Sequence, residues 1–113
     1  MRDILITEEC EQFISNCTIR TKRKFDYLLQ IISEHDVIPK NFVDKLISSE
    51  YYELRIKSDN EIRIIIFSID HHNFIESRKV ILLNGFVKKS NKDYSKAIRV
   101  ADVLLDKYKN ILQ

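Results

Sequence analysis

The sequence predicts an α+β fold: a small antiparallel β-sheet with an N-terminal helical hairpin and a C-terminal helix, in the order β-α-α-β-β-β-α. Three observations predict it. Phe25, Leu28, Leu29 and Ile32 recur at i, i+3, i+4 and i+7, the spacing of one helix face. Residues 51–57, Tyr-Tyr-Glu-Leu-Arg-Ile-Lys, alternate between apolar and charged side chains, as in a half-exposed strand. Residues 61–69 are β-branched, aromatic and nearly continuous, as in a central strand covered on both faces. With 113 residues, the chain should form one domain over 1–113 around one core. Hydrophobic residues make up 44%, too many for disorder, and one Gly and one Pro are too few for a turn-dense β-sandwich.

The elements follow in order. Ile4-Leu5-Ile6 reads as a short strand. Thr7 can cap a helix over about 8–17, with Glu8 and Glu9 in the first turn, where carboxylates suit the helix dipole. A second helix over about 19–35 follows after so little loop that the pair should form an αα-hairpin. Asp36 to Pro39 ends it, because proline disfavours helix at the residue before it. Phe42, Val43 and Leu46 suggest one or two further helical turns. Strand 51–57 leads through the turn cluster Ser58-Asp59-Asn60 into strand 61–69. Asp70 to Ser77 is a polar loop, and Lys79 to Leu83 a third strand with the sole glycine, Gly85, at its end. Asn91 to Asp93 can cap a last helix over about 94–112, whose Ala97, Ala101, Leu104, Leu105 and Tyr108 share one face.

Several functional classes are excluded. No apolar run approaches the ~18–20 residues of a membrane span. The apolar core after Arg2 is too short for a signal peptide, so the chain is read as cytoplasmic. Cys10 and Cys17 would lie two helical turns apart, ~10.5 Å along the axis, beyond disulfide reach, and are read as two buried thiols. Two cysteines and three histidines make no zinc pattern, and a single glycine permits no phosphate-binding glycine loop. No metal or cofactor is expected. His35, His71 and His72 fall in loops or element ends.

The net charge of +2 hides an asymmetry: residues 1–50 carry 7 basic and 9 acidic side chains, residues 51–113 carry 12 and 8. The second half therefore points to an anionic partner. Arg63 is the only charge inside the apolar run 62–67, where a charge needs a partner or a wet cleft. A three-residue hairpin loop (59–61) puts Lys57 opposite Arg63 and gathers Arg55, Lys57 and Arg63 on one face with one acid, Glu53. A two-residue loop would put Arg63 opposite Ile56 and separate them. The three-residue loop is favoured because it keeps Ile56, Ile62 and Ile64 together in the core. Such a cluster suits a phosphate chain. A second basic cluster, Lys88, Lys89 and Lys92 against Asp93, links the third strand to the last helix. A third, Arg20, Lys22, Arg23 and Lys24, opens the second helix against its dipole, as a binding surface or a solvated face.

These residues carry a family resemblance. Tyr52-Glu53-Leu54-Arg55-Ile56, Ile62-Arg63-Ile64, Leu82-Leu83-Asn84-Gly85-Phe86-Val87-Lys88-Lys89 and a helix beginning near Lys96 resemble the RelE/ParE toxin superfamily, more closely its phage-derived HigB-like branch. The resemblance covers almost the whole chain. It implies the toxin of a bacterial type II toxin–antitoxin system, a metal-independent endoribonuclease that cleaves mRNA on the ribosome. The RNA 2′-OH attacks the phosphodiester, giving a 2′,3′-cyclic phosphate. Transferred by position, Arg55 and Arg63 hold the phosphate and stabilise its developing charge. Lys88 or Lys89 does likewise or protonates the leaving oxygen, and Tyr94 stacks on a base or moves a proton. Lys57, Lys92 and Asn84 are implied RNA contacts. Asn84 stands where the HigB-like motif has His, and Glu53 where RelE itself has lysine, so a His-based step there and one cation are absent. The implied partners are mRNA, the ribosome and an antitoxin with a helix-turn-helix domain, whose acidic or amphipathic segment should lie near the basic sheet or the helical hairpin. The competing expectation is a toxin that binds without cleaving: a ParE-like gyrase inhibitor, or a lapsed toxin that binds only RNA or antitoxin.

Overall fold

The structure, a computed structural model, describes residues 1–112. Strand β1 (Asp3–Ile6) leads into α1 (Glu8–Ser15) and α2 (Ile19–Glu34). Strands β2 (Val43–Lys45), β3 (Tyr51–Lys57), β4 (Glu61–Ser68) and β5 (Lys79–Val87) follow, then α3 (Lys92–Tyr108). Both N-terminal helices start on threonine caps. The Thr7 hydroxyl accepts from Cys10 N–H at 3.0 Å and donates to Leu83 O at 2.5 Å, so one side chain caps α1 and ties it to β5. Cys10 and Cys17 are free thiols; Cys10 is buried and Cys17 half-buried. No helix among the described residues is long and apolar enough to cross a membrane.

The five strands form one sheet in the order β1-β5-β4-β3-β2. The β2–β3–β4–β5 portion is antiparallel, but β1 runs parallel to β5, with Ile4 opposite Val80 and Ile6 opposite Leu82. The sheet is therefore mixed, which corrects the all-antiparallel expectation. The first and last strands of the chain are thus neighbours, and everything from α1 to β4 lies between them in sequence, ample for the long connection that a parallel pair needs. The second correction is β2. Phe42, Val43 and Leu46 have helical spacing, yet residues 43–45 pair with β3, Val43 opposite Leu54. Backbone pairing with an otherwise open sheet edge outweighs a weak local pattern.

Alternation splits the core in two. Leu54, Ile56, Ile62, Ile64, Ile66, Val80 and Leu82 pack against Cys10, Ile14, Phe25, Leu28 and Ile32 of α1 and α2. Tyr51, Ile65, Ile81 and Leu83 pack against Ala97, Ala101 and Leu104 of α3. Strand β4 is thus covered on both faces, as its continuous apolar run predicts. The β3–β4 loop has three residues, Ser58 to Asn60, one position earlier than expected. Arg55 lies opposite Arg63, and Lys57 opposite Glu61 instead of Arg63. Moving the loop by one position moves the cross-strand pairing by two residues, so Arg55, Lys57 and Arg63 still share a face, the one toward α3.

Strand β5 continues four residues past its predicted end, so Asn84, Gly85 and Phe86 lie within it. It also holds a bulge. Ile66 pairs with Leu82 but Ile64 with Gly85, so β5 carries one residue more than β4 across this step. Leu83 sits in the α3-side core, and Asn84 next to it donates to Ala97 O of α3 at 3.1 Å. Two consecutive residues face α3, and the alternation is inverted beyond them. Gly85 turns toward Phe13 of α1, while Phe86 turns to Tyr94 of α3.

Candidate active site

The polar end of the sheet's α3 face centres on Glu53, a residue that alternation alone places beside the arginines. Its Oε1 accepts the Tyr94 hydroxyl at 2.6 Å and lies 3.0 Å from Arg63 Nε; its Oε2 lies 3.3 Å from an Arg55 terminal nitrogen. Arg63 Nε also donates to Tyr94 Oη at 3.2 Å. Arg63 Nη1 donates to Glu61 Oε2 and Ile62 O, both at 3.1 Å. Arg55 reaches Asp44 Oδ2 of β2 at 3.5 Å. Side chains of Glu53 and Arg63 are each only 5% exposed, whereas Arg55 is 32% exposed. A charge buried this deeply is tolerable because each has a partner of opposite sign and further hydrogen bonds.

Tyr94 is aimed by its neighbours. Phe86 meets its ring edge-on at 5.3 Å between centroids, and Lys88 Nζ lies 5.5 Å above it. Both come to the α3 face through the bulge at Leu83–Asn84. The start of α3 is held by Asp93, whose Oδ2 accepts from Lys89 N–H at 2.7 Å and Ser90 N–H at 3.0 Å. Those bonds lower the Asp93 pKa. Asn91, the residue before the helix, makes no side-chain cap.

These residues open onto a groove of about 400 Å³. Strand β3 contributes Glu53 and Arg55, the end of β5 Lys88, the start of α3 Tyr94 and Asn91, and the β2 side Asp44, Leu46 and Ile47. Of the predicted site residues, Arg55, Arg63, Lys88 and Tyr94 are brought together. Arg63 stands behind Tyr94 and not in the groove. With Nε and Nη1 bonded to protein acceptors and the side chain only 5% exposed, it offers little surface with which to hold a phosphate. It fixes Glu53 and Tyr94 instead. Lys89 and Lys92 are exposed on the turn beside the groove, and Lys57 is exposed at the far end of β3. Asn84 is buried against α3, so the expected RNA contact is replaced by a strand-to-helix hydrogen bond.

Sequence reasoning missed three participants. Asp44 reaches Arg55 only because β2 is a strand. Glu61 is placed by the hairpin register. Phe86 is turned inward by the bulge. The cationic face is therefore interleaved with three acids, not one. The electrostatics follow. Burial pushes the Tyr94 hydroxyl up, and its bond to Glu53 adds to that against the opposing pull of Arg63. Burial works against charge on Arg63, but the bonds from Tyr94 and Glu61 outweigh it and hold its pKa above the ordinary value. The Arg63 hydrogen bond lowers the pKa of Glu61. Tyr94 is thus a protonated donor to Glu53, with one oxygen lone pair left to accept from a ligand in the groove.

No curated protein gives a significant match to the chain. A family model described as phage-derived protein Gp49-like (DUF891) matches residues 12–106, a span that contains α2, every strand from β2 to β5 and all the groove residues named above. The chain belongs to this phage-derived Gp49-like family, a family of the RelE/toxin-like type.

Proposed function

We propose that this protein is a HigB-like toxin that cuts RNA in the groove between β3, the end of β5 and the start of α3. The observation that carries the reading is the Tyr94 hydroxyl, hydrogen-bonded to Glu53 at 2.6 Å and flanked in the groove by Arg55 and Lys88. This set supplies the parts that phosphodiester transfer within RNA requires. The 2′-oxygen forms a bond to phosphorus, and its proton passes to Tyr94 Oη as Tyr94 passes its own to Glu53 Oε1. Arg55 and Lys88 offset the charge developing on the phosphoryl oxygens. The bond from phosphorus to the 5′-oxygen breaks, and Lys88 gives that oxygen a proton. The products are a 2′,3′-cyclic phosphate and a 5′-hydroxyl end. Arg63 acts through Glu53 and Tyr94 as a positioning residue. The reaction needs no metal, so EDTA should leave it unchanged.

The test is an mRNA-cleavage assay with ribosomes, comparing the wild type with Tyr94→Phe, Lys88→Ala and Arg55→Ala. Each variant should lose about 10²-fold or more in cleavage rate. Equal growth arrest by all four, with no new RNA ends, would sink the nuclease reading. One observation favours a second reading, a toxin that binds without cutting: Glu53, Glu61 and Asp44 pair with both arginines of the cationic face. That reading expects ribosome or RNA binding with no cleavage by the wild type. On either reading the natural inhibitor is an antitoxin, whose acidic segment would compete for Arg55 and Lys88.

A further inference from the structure

Between β2 and β3 the chain turns through residues 46–50, and the tip of the turn is Ile47, 92% exposed. A lone exposed aliphatic side chain is ordinary on a protein surface. Three features set this one apart. Ile47 lines the groove that holds Tyr94, Arg55 and Lys88, with Leu46 and Ile98 as apolar neighbours there. The next residue, Ser48, has φ 59°, the only non-glycine residue with positive φ among the described residues. The turn is also closed by its own bonds. Leu46 N–H donates to Tyr51 O at 3.0 Å, Ser49 Oγ donates to Leu46 O at 3.1 Å, and Tyr51 N–H donates to Ser49 Oγ at 3.1 Å. Lys45 Nζ adds a bond to Ser49 O. A rigid, locally strained turn thus fixes Ile47 at the groove.

We infer that Ile47 is a wedge that packs against a nucleobase of single-stranded RNA and unstacks it from its neighbour. This rests on the reading above that RNA is the groove's ligand. The groove has two kinds of lining, and a nucleotide has two matching parts. Arg55 and Lys88 suit the phosphate, and Leu46, Ile47 and Ile98 suit the flat face of a base. A sugar phosphate would leave Ile47 in water, and an apolar peptide would leave the cations without partners. The chemistry also needs unstacking. Attack requires the 2′-oxygen, phosphorus and 5′-oxygen in line, and a stacked strand holds the 2′-oxygen off that line. Parting two bases frees the sugar to rotate, and aliphatic side chains are known to enter base steps in this way.

The test uses hexaribonucleotides with 2-aminopurine walked through each position and a 2′-deoxy sugar on its 5′ side, so that binding is read without cleavage at that step. Wild-type protein should raise the fluorescence of the probe at one position, as that base leaves its stack. Ile47→Ala should abolish the rise and weaken binding about tenfold, from the lost apolar contact. Ile47→Leu should retain both. Because Ile47 is exposed, neither variant should change the melting temperature. Equal fluorescence rise and affinity in wild type and Ile47→Ala would overturn the inference, as would a wild type that binds none of the probes. All-ribose oligonucleotides are followed in parallel. An Ile47-dependent rise together with no new RNA ends in the ribosome assay overturns only the nuclease reading, and cleavage with an Ile47-independent rise overturns only the wedge.

Discussion

Tyr94 of α3 donates to Glu53 of β3 at 2.6 Å, and this bond joins the last helix to the sheet at the mouth of the groove. Glu53 is also the nearest counter-charge to the Arg63 Nε, at 3.0 Å. Removing it leaves a buried guanidinium whose remaining carboxylate, Glu61, is 47% exposed. Glu53→Gln should therefore lower unfolding free energy by about 3 kcal/mol, the range found when one member of a buried pair is deleted. Tyr94→Phe removes two hydrogen bonds to charged groups, the one given to Glu53 and the one accepted from Arg63 Nε, and should lower it by about 2 kcal/mol. Urea unfolding of both and of the double variant measures the coupling. Additive losses would show that the contact is incidental.

The two arginines should separate stability from activity. Arg63→Met leaves Glu53 buried and facing no partner on that side, so it should destabilise by about 3 kcal/mol or more. Arg55 is 32% exposed, and its contacts to Glu53 and Asp44 are at 3.3 and 3.5 Å. Partly solvated pairs of this kind contribute little, so Arg55→Ala should change stability by less than about 1 kcal/mol. Its effect should fall on RNA binding and cleavage. Thermal melts alongside cleavage rates would check this, and an Arg55→Ala variant that unfolds as readily as Arg63→Met would contradict it.

The chain's pattern made some of this site legible and hid the rest. Alternation along 51–57 and the lone charge in 62–67 put Arg55 and Arg63 on one face, and burial cost demanded a partner for Arg63. Glu53 could be read as that partner. What could not be read was whether Arg63 faced solvent or protein, because that depends on α3 closing over the sheet end. The bulge was equally hidden. The only local sign is the Asn84-Gly85 pair that breaks the apolar run, which reads as the strand's end and not as a bulge within a longer strand. Yet the bulge decides that Phe86 and Lys88 face Tyr94. Arg2 shows the same limit: it reads as a terminal charge, but its guanidinium is buried and donates to Ile32 O at 2.8 Å and Phe74 O at 3.1 Å.

Asp70 gives a prediction in pH. Its Oδ1 accepts from Ser77 Oγ at 2.6 Å and Lys79 N–H at 3.1 Å, and its Oδ2 from Arg78 N–H at 3.0 Å. Burial pushes the carboxyl up, but these bonds outweigh it and bring the pKa from 3.8 down to about 2. A pKa depressed on folding means the stabilisation is fully present above the unfolded value. It is lost as pH falls from about 4 through about 2. Asp70→Asn should thus melt at a lower temperature than wild type at pH 6, and the gap should close across that window. A gap that stays constant down to pH 2 would exclude Asp70 as its source.

Gly85 links the packing of α1 to the groove. Its φ is not positive, so conformational freedom is not the reason for glycine here. Space is: a Cβ at this position would lie 2.4 Å from Phe13 Cδ2 and 2.7 Å from Ile64 Cδ1. Gly85→Ala must therefore displace the Phe13 ring or lift α1 from β5, and should destabilise by about 1–3 kcal/mol, as for other overpacked sites. Since Gly85 follows the bulge directly, any shift of β5 there also moves Phe86 and Lys88 relative to Tyr94. Cleavage should then fall further than the loss of folded protein explains. Phe13→Leu in the Gly85→Ala background opens room for the methyl group and should recover part of both losses. Recovery of stability without recovery of cleavage would mean that the close approach of α1 does not control the position of Lys88.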